Sequence, residues 1–146
     1  VTALRQAVRE GIVDILVTDH APHAPFEKDV PLSSAPNGIS GLDTALSLCW
    51  GLVQDGVLTQ KDLVRLWCSG PARIFGLAAN GFHPGDPADL ILFDARASWT
   101  PTSETMRSRG KNTPCLGREL PGRIRLNCRR GEAVYGEFPL EASRAE

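Results

Sequence analysis

Ile12-Val13-Asp14-Ile15-Leu16-Val17-Thr18-Asp19-His20-Ala21-Pro22-His23 is the stretch whose reading decides the fold. Residues 12–18 are few, rich in β-branched side chains and nearly all apolar, which predicts a fully buried strand. The run ends in a carboxylate and two imidazoles. In barrel enzymes the chemistry sits at the C-terminal ends of the strands. A carboxylate after an apolar strand is costly unless it is paired or binds a metal. Asp19 therefore reads in two ways. It is a metal ligand that also takes a proton from an attacking water, or an Asp that caps a helix or satisfies a loop. Spacing alone weighs these evenly. His20 and His23 lie three apart, but Pro22 makes an irregular loop the expected form. A substrate contact from one of them is favoured over a shared metal, and a lone loop His is ordinarily satisfied where it stands.

Working outward, Leu4, Ala7 and Val8 share a helix face upstream, with Thr2 as cap and Gly11 as stop. Helix then strand, with no strand before it, is too little for a parallel sheet. The expectation is a C-terminal piece of a longer protein. Downstream, residues 19–41 are rich in Pro, Ser, Gly and Asn, and a loop this long is more often functional than idle. Asn37-Gly38-Ile39-Ser40-Gly41 lacks the Lys-Ser/Thr of a phosphate cradle. It reads as a flexible lid or a close backbone approach to a ligand.

Leu42, Ala45, Leu46, Cys49, Trp50 and Val53 then recur on one helical face. After Gly56, Thr59 and Asp62 form a capping-box-like start for a helix lined by Leu63, Leu66 and Trp67. Ser69 with Pro71 opens a third helix that ends at Gly76. The character changes at residue 81. Residues 88–94 read as a strand, 97–122 as a loop, and 124–128 and 132–135 as strands around Arg130-Gly131. The expected division is 1–80, 81–138, and a polar, frayed tail over 139–146. His83, in Gly-Phe-His-Pro-Gly, reads as structural.

The composition is that of an ordinary globular domain: 146 residues, 42% apolar, 23% charged, net charge −1. That balance offers no electrostatic reason for nucleic acid or a membrane surface as partner. No apolar run approaches the ~20 residues that span a bilayer, and nothing at the start resembles a signal peptide. The expected location is cytoplasmic. Cys49, Cys68, Cys115 and Cys128 form no C-x-x-C pair, so a zinc knuckle is disfavoured and reduced, structural thiols are expected. The short Arg-rich stretches at 107–111 and 129–130 read as solvated surface.

Residues 18–23 strongly resemble the signature of the dihydroorotases, within the amidohydrolase superfamily. Further segments are similar to that family: 34–45 just downstream, Pro71-Ala72-Arg73-Ile74-Phe75-Gly76-Leu77 in a late barrel helix, and Gly85–Asp94 at the return into a small β-domain. Lys111-Asn112-Thr113-Pro114 and Gly131-Glu132-Ala133-Val134-Tyr135 resemble its closing pieces. The resemblance covers about residues 1–136. It implies an α/β fold: the C-terminal part of a (β/α)8 barrel, then strands of a small β-sandwich. It also implies the reversible interconversion of dihydroorotate and N-carbamoyl-L-aspartate in pyrimidine biosynthesis, with one or two zinc ions activating the attacking water.

Carried over residue by residue, Asp19 would be metal ligand and general acid/base. His23 would bind the substrate carboxylate, and Ala35, Pro36, Asn37 and Gly38 would approach the substrate; His20 is given no metal. Three positions depart from the pattern: Asn37 replaces a common aromatic, Asp43 a Glu, and Cys115 a Phe. The family's remaining ligands lie on earlier strands, and a catalytic zinc usually takes three protein ligands. The isolated segment is expected to be inactive and poorly folded. Competing readings are an allantoinase- or hydantoinase-type amidohydrolase, which the Ala-Pro-His ending disfavours, and a non-catalytic subunit supporting aspartate transcarbamoylase. A homo-oligomer is a further expected partnership.

Overall fold

The structure, a computed structural model, describes residues 1–78 and 81–136. Five helices precede three strands: α1 (Thr2–Arg9), α2 (Pro25–Lys28), α3 (Ala45–Gln54), α4 (Gln60–Val64), α5 (Gly70–Phe75), β1 (Leu90–Trp99), β2 (Leu120–Arg129) and β3 (Glu132–Gly136). The result is α/β in content, with one antiparallel sheet in the order β1-β2-β3.

The stretch that decides the fold is not a strand here. Residues 12–19 are extended, but among the described residues their main-chain N–H groups bond only at Ile12, to Ala7 O at 3.0 Å, and at Leu16, to Leu66 O at 3.1 Å, with a parallel bridge between His20 and Ile39 just beyond. Ile12 is 68% and Val17 75% exposed. This corrects the expectation of a fully buried strand. A strand exists only through its neighbours, and no other strand among the described residues lies beside this segment.

The helices follow local signals more closely. Thr59 caps α4: its hydroxyl accepts from Asp62 N–H at 3.1 Å, and its own N–H donates to Asp62 Oδ2 at 3.1 Å. The expected break at Ser69 is absent. A π-helical turn, Arg65–Ser69, joins α4 to α5 in one rod that ends at Gly76 with φ +64°. Gly70 lets that rod approach the extended segment, since a Cβ there would lie 2.6 Å from Asp14 O. Leu66, in the π turn, is fully buried.

Helix α3 starts at Ala45, three residues later than the apolar spacing predicts, and Leu42 is exposed. It packs on the sheet through a polar link. The buried Ser47 hydroxyl donates to Gly122 O at 3.0 Å and accepts from Trp99 Nε1 at 2.9 Å. Beside it, Trp50 meets Phe93 edge-on, with centroids 5.4 Å apart.

The strands run longer than expected, and the shortened loop between β1 and β2 is part of the core. Pro101, Met106, Thr113 and Cys115 within it are buried. Its path is held by distant groups: Asp43 accepts from Arg107 N–H at 2.6 Å and Ser108 N–H at 3.3 Å. The frayed tail expected at 139–146 lies outside the described residues. Among the described residues, no helix is long and apolar enough to cross a membrane.

Candidate active site

The strand-end sequence turns sharply at Asp19, a non-glycine residue at φ +44°. Such a left-handed conformation is uncommon for an L-residue, though Asp adopts it more readily than most. It leaves the carboxylate exposed, without a hydrogen-bond or ion-pair partner among the described residues. Among the described residues its carboxylate caps no helix and closes no loop.

His20 faces the other way. Its Nδ1 accepts from the backbone N–H groups of Gly41 and Leu42, at 3.1 and 3.2 Å. Two donors on one ring nitrogen require that nitrogen to be unprotonated, so the ring proton sits on Nε2. The imidazole thus stitches the strand end to the end of the Gly-rich loop, alongside the His20–Ile39 bridge.

His23 points into the loop that the sequence assigns to the site. Its Nε2–H donates to Asn37 O at 3.1 Å, and its Nδ1 lies 3.8 Å from Glu27 Oε2. Lys28, at the end of α2, donates from Nζ to Pro36 O at 2.6 Å and Gly38 O at 2.8 Å. All three carbonyls of residues 36–38 are therefore occupied by protein donors. The N–H groups of Asn37 and Gly38 make no backbone bond among the described residues. Pro36 has none to give. What this loop offers a ligand is N–H donors, which suit a carboxylate or carbonyl oxygen. Ala35 is half-buried at its base, its N–H held by Pro31 O at 3.0 Å.

The structure thus brings His23 together with Pro36, Asn37 and Gly38. Among the described residues Asp19 makes no hydrogen bond or ion pair to them, although His20 beside it is bridged to Ile39, next to Gly38. His83 is elsewhere. It belongs to a clip in which Asp86 Oδ2 accepts from the N–H groups of His83 and Gly81, each at 3.0 Å. Those bonds, the His83 one first, hold the Asp86 carboxyl below its ordinary value. The His83 backbone N–H is thus part of the turn, while its ring is exposed.

Two further residues organise this region: Lys28, and Asn112 from the loop between β1 and β2. Asn112 Oδ1 accepts from His23 N–H at 2.8 Å, and Nδ2 donates to Ala21 O at 3.0 Å. No motif flags Lys28; Asn112 falls in Lys111-Asn112-Thr113-Pro114, which resembles the family, but its residue type and spacing assign it no role. Among the described residues, no three His, Cys, Asp or Glu side chains converge as a metal-binding group. The available donor is one exposed carboxylate, which suits a single ligand of a larger set.

Comparison with known proteins brings a family model described as the amidohydrolase family, which matches residues 1–118. A dihydroorotase of Anaeromyxobacter dehalogenans is 46% identical over 94% of this chain. One from Syntrophus aciditrophicus is 42% identical over 92%. The chain spans 32% of the length of each. Among solved structures, the L-hydantoinase (dihydropyrimidinase) of Arthrobacter aurescens is similar, with TM-score 0.83 and 30% identity; the match covers 92% of this chain and 31% of that one.

Proposed function

This chain belongs to the amidohydrolase family, and we propose that it is a segment of a zinc-dependent dihydroorotase. The reaction is the reversible opening of the dihydroorotate ring amide by water to N-carbamoyl-L-aspartate, a step of pyrimidine biosynthesis. One observation carries the choice of an acidic substrate. The loop at residues 36–38 turns every carbonyl toward Lys28 or His23 and keeps N–H donors for a ligand. A neutral ring would gain far less from such a lining. The dihydroorotases at 46% and 42% identity support the same reading.

Bound in the intact protein, one or two zinc ions would act as Lewis acid on the ring carbonyl and lower the pKa of water. Asp19 would supply one carboxylate ligand, the others coming from outside this chain. Its exposed oxygens would also take the proton released by the attacking water and return it to the leaving ring nitrogen. The N–H groups of Asn37 and Gly38 would orient the substrate carboxylate, and His23 would join them where its Nε2–H turns from Asn37 O to the ligand, with Ala35 and Pro36 shaping the wall. On this reading residues 1–80 close a (β/α)8 barrel and residues 81–138 contribute strands to a β-sandwich. The enzyme would be cytoplasmic, as a homo-oligomer or beside aspartate transcarbamoylase.

The test is turnover by the intact, zinc-loaded protein. Dihydroorotate should be opened in strong preference to a neutral ring such as hydantoin. Asp19→Asn should abolish turnover while leaving Tm unchanged, because Asn also tolerates the left-handed backbone at this position. Preference for the neutral ring would overturn the substrate assignment; near-normal turnover of Asp19→Asn would overturn the role of Asp19.

A further inference from the structure

Asn112 lies far along the chain from the strand end, in the loop between β1 and β2, yet its side chain is spent wholly on the candidate site. Oδ1 accepts from His23 N–H at 2.8 Å and from Ser40 Oγ at 3.1 Å. Nδ2 donates to Ala21 O at 3.0 Å and to Gly38 O at 3.4 Å. A carboxamide offers two donor hydrogens and two acceptor lone pairs; both hydrogens and one lone pair are used in full, and the second lone pair competes with Gly110 O for the single Ser40 proton. The main chain adds a fifth tie, with Asn112 O accepting from Ser40 N–H at 3.1 Å. Ser40, buried, has one hydroxyl proton in the same knot, shared between Gly110 O, the nearer acceptor, and Asn112 Oδ1.

Two segments meet at this side chain. Residues 21–23 carry His23 away from the strand end; residues 38–40 close the loop whose N–H groups face the ligand. Gly110 brings the third strand of the knot close enough, since a Cβ there would lie 2.7 Å from His23 N. Lys28, by contrast, holds only the loop, through Pro36 O and Gly38 O. No other described side chain bonds to both segments in this way.

We infer that Asn112 is a positioning residue that sets the spacing between His23 and the 36–38 loop, and so sets affinity for the carboxylate of the substrate. It touches no substrate itself. The inference rests on the dihydroorotase reading for the identity of that carboxylate, whereas the spacing role rests on geometry alone. It makes the β1–β2 loop a specificity element for a site whose chemistry is carried by the helical part of the chain.

The experiment uses the intact, zinc-loaded protein with Asn112→Ala and Asn112→Asp. The Asp variant keeps the shape and both acceptor contacts, but sets an oxygen against the Ala21 and Gly38 carbonyls. Both should raise KM for dihydroorotate about tenfold or more, with kcat within about threefold. KM for a neutral dihydropyrimidine ring and the zinc content should be unchanged. Hydrogen exchange should speed at the amides of both 21–23 and 38–40, whereas Lys28→Met should loosen the 36–38 side alone. Equal losses on both substrates, or an unchanged KM for dihydroorotate, would overturn the inference. If the wild-type protein opens no dihydroorotate, the proposed function fails. Exchange then decides the spacing role by itself: faster exchange in only one of the two segments would sink it.

Discussion

Single residues are constrained in this site by backbone geometry more than by charge. Gly38 has φ +97°, and a Cβ on it would fall 2.4 Å from Ala21 Cβ. Two separate penalties therefore meet in Gly38→Ala. The first is a left-handed backbone that L-residues resist; the second is a clash with the segment leading to His23. Together they cost about 1–3 kcal/mol of local strain, which the loop relieves by moving off residue 21. The expected outcome in the intact protein is a KM for dihydroorotate raised about tenfold, the equivalent of about 1.4 kcal/mol. Adding Ala21→Gly removes the clash but not the backbone penalty, so the double variant should recover part of the loss. Full recovery, or none, would show that only one of the two penalties operates.

Among the elements, α4 shows how local chemistry sets a boundary and makes it pH-sensitive. The Thr59 hydroxyl and, next, its N–H hold the Asp62 carboxyl below its ordinary value, with Arg65 nearby as a smaller influence. A carboxyl whose folded pKa is depressed stabilises the fold above its unfolded value, and that contribution is lost as pH falls through the folded value. Thr59→Ala should therefore cost about 1 kcal/mol at neutral pH, and less below the ordinary carboxylate range. Hydrogen exchange at Leu63 N–H, which donates to Thr59 O at 3.0 Å, reads this directly. An equal cost at both pH values would remove Asp62 from the cap. This boundary was legible because every group in it lies within four residues. The turn at Arg130-Gly131 and the stop at Gly76 were legible for the same reason. The extended segment at 12–19 pairs with no strand among the described residues, because an apolar pattern marks what burial would suit, while strand pairing depends on neighbours. Likewise the 100–119 loop reads as polar connection, yet Asp43 and Asn112 tie it to residues 43, 21 and 23 across the chain. In the site itself, the pattern picked out Asp19 and His23 by residue type; it had no means of finding the roles of Lys28 and Asn112, whose partners are mostly backbone atoms far along the chain or in an irregular loop.

At the scale of the whole molecule, surface area is the decisive quantity. A folded monomer of 15.8 kDa exposes about 7,300 Å² by the usual scaling; this chain exposes 10,686 Å². The difference exceeds what one side of an obligate interface ordinarily buries. Part of it is apolar and bears on the site: Ile12 and Val17 flank the segment that carries Asp19, and Leu4, Phe26, Leu32 and Leu42 are exposed as well. Monomeric proteins rarely leave contiguous apolar patches larger than a few hundred Å² open to water. The chain spans 32% of the length of its dihydroorotase relatives, and in an intact protein of that length we expect neighbouring strands to cover residues 12–18. The consequence is testable on the chain alone. Residues 1–146 expressed alone should bind a hydrophobic dye and melt without a sharp transition, with exchange protection confined to the α4–α5 rod and the β-sheet. Protection at Ile15 and Val17 should appear only in the intact protein, because their N–H groups have no main-chain partner among the described residues. A cooperative melt of the chain alone, with protected amides at 15 and 17 and no dye binding, would mean that residues 12–18 complete their pairing within this chain or between copies of it.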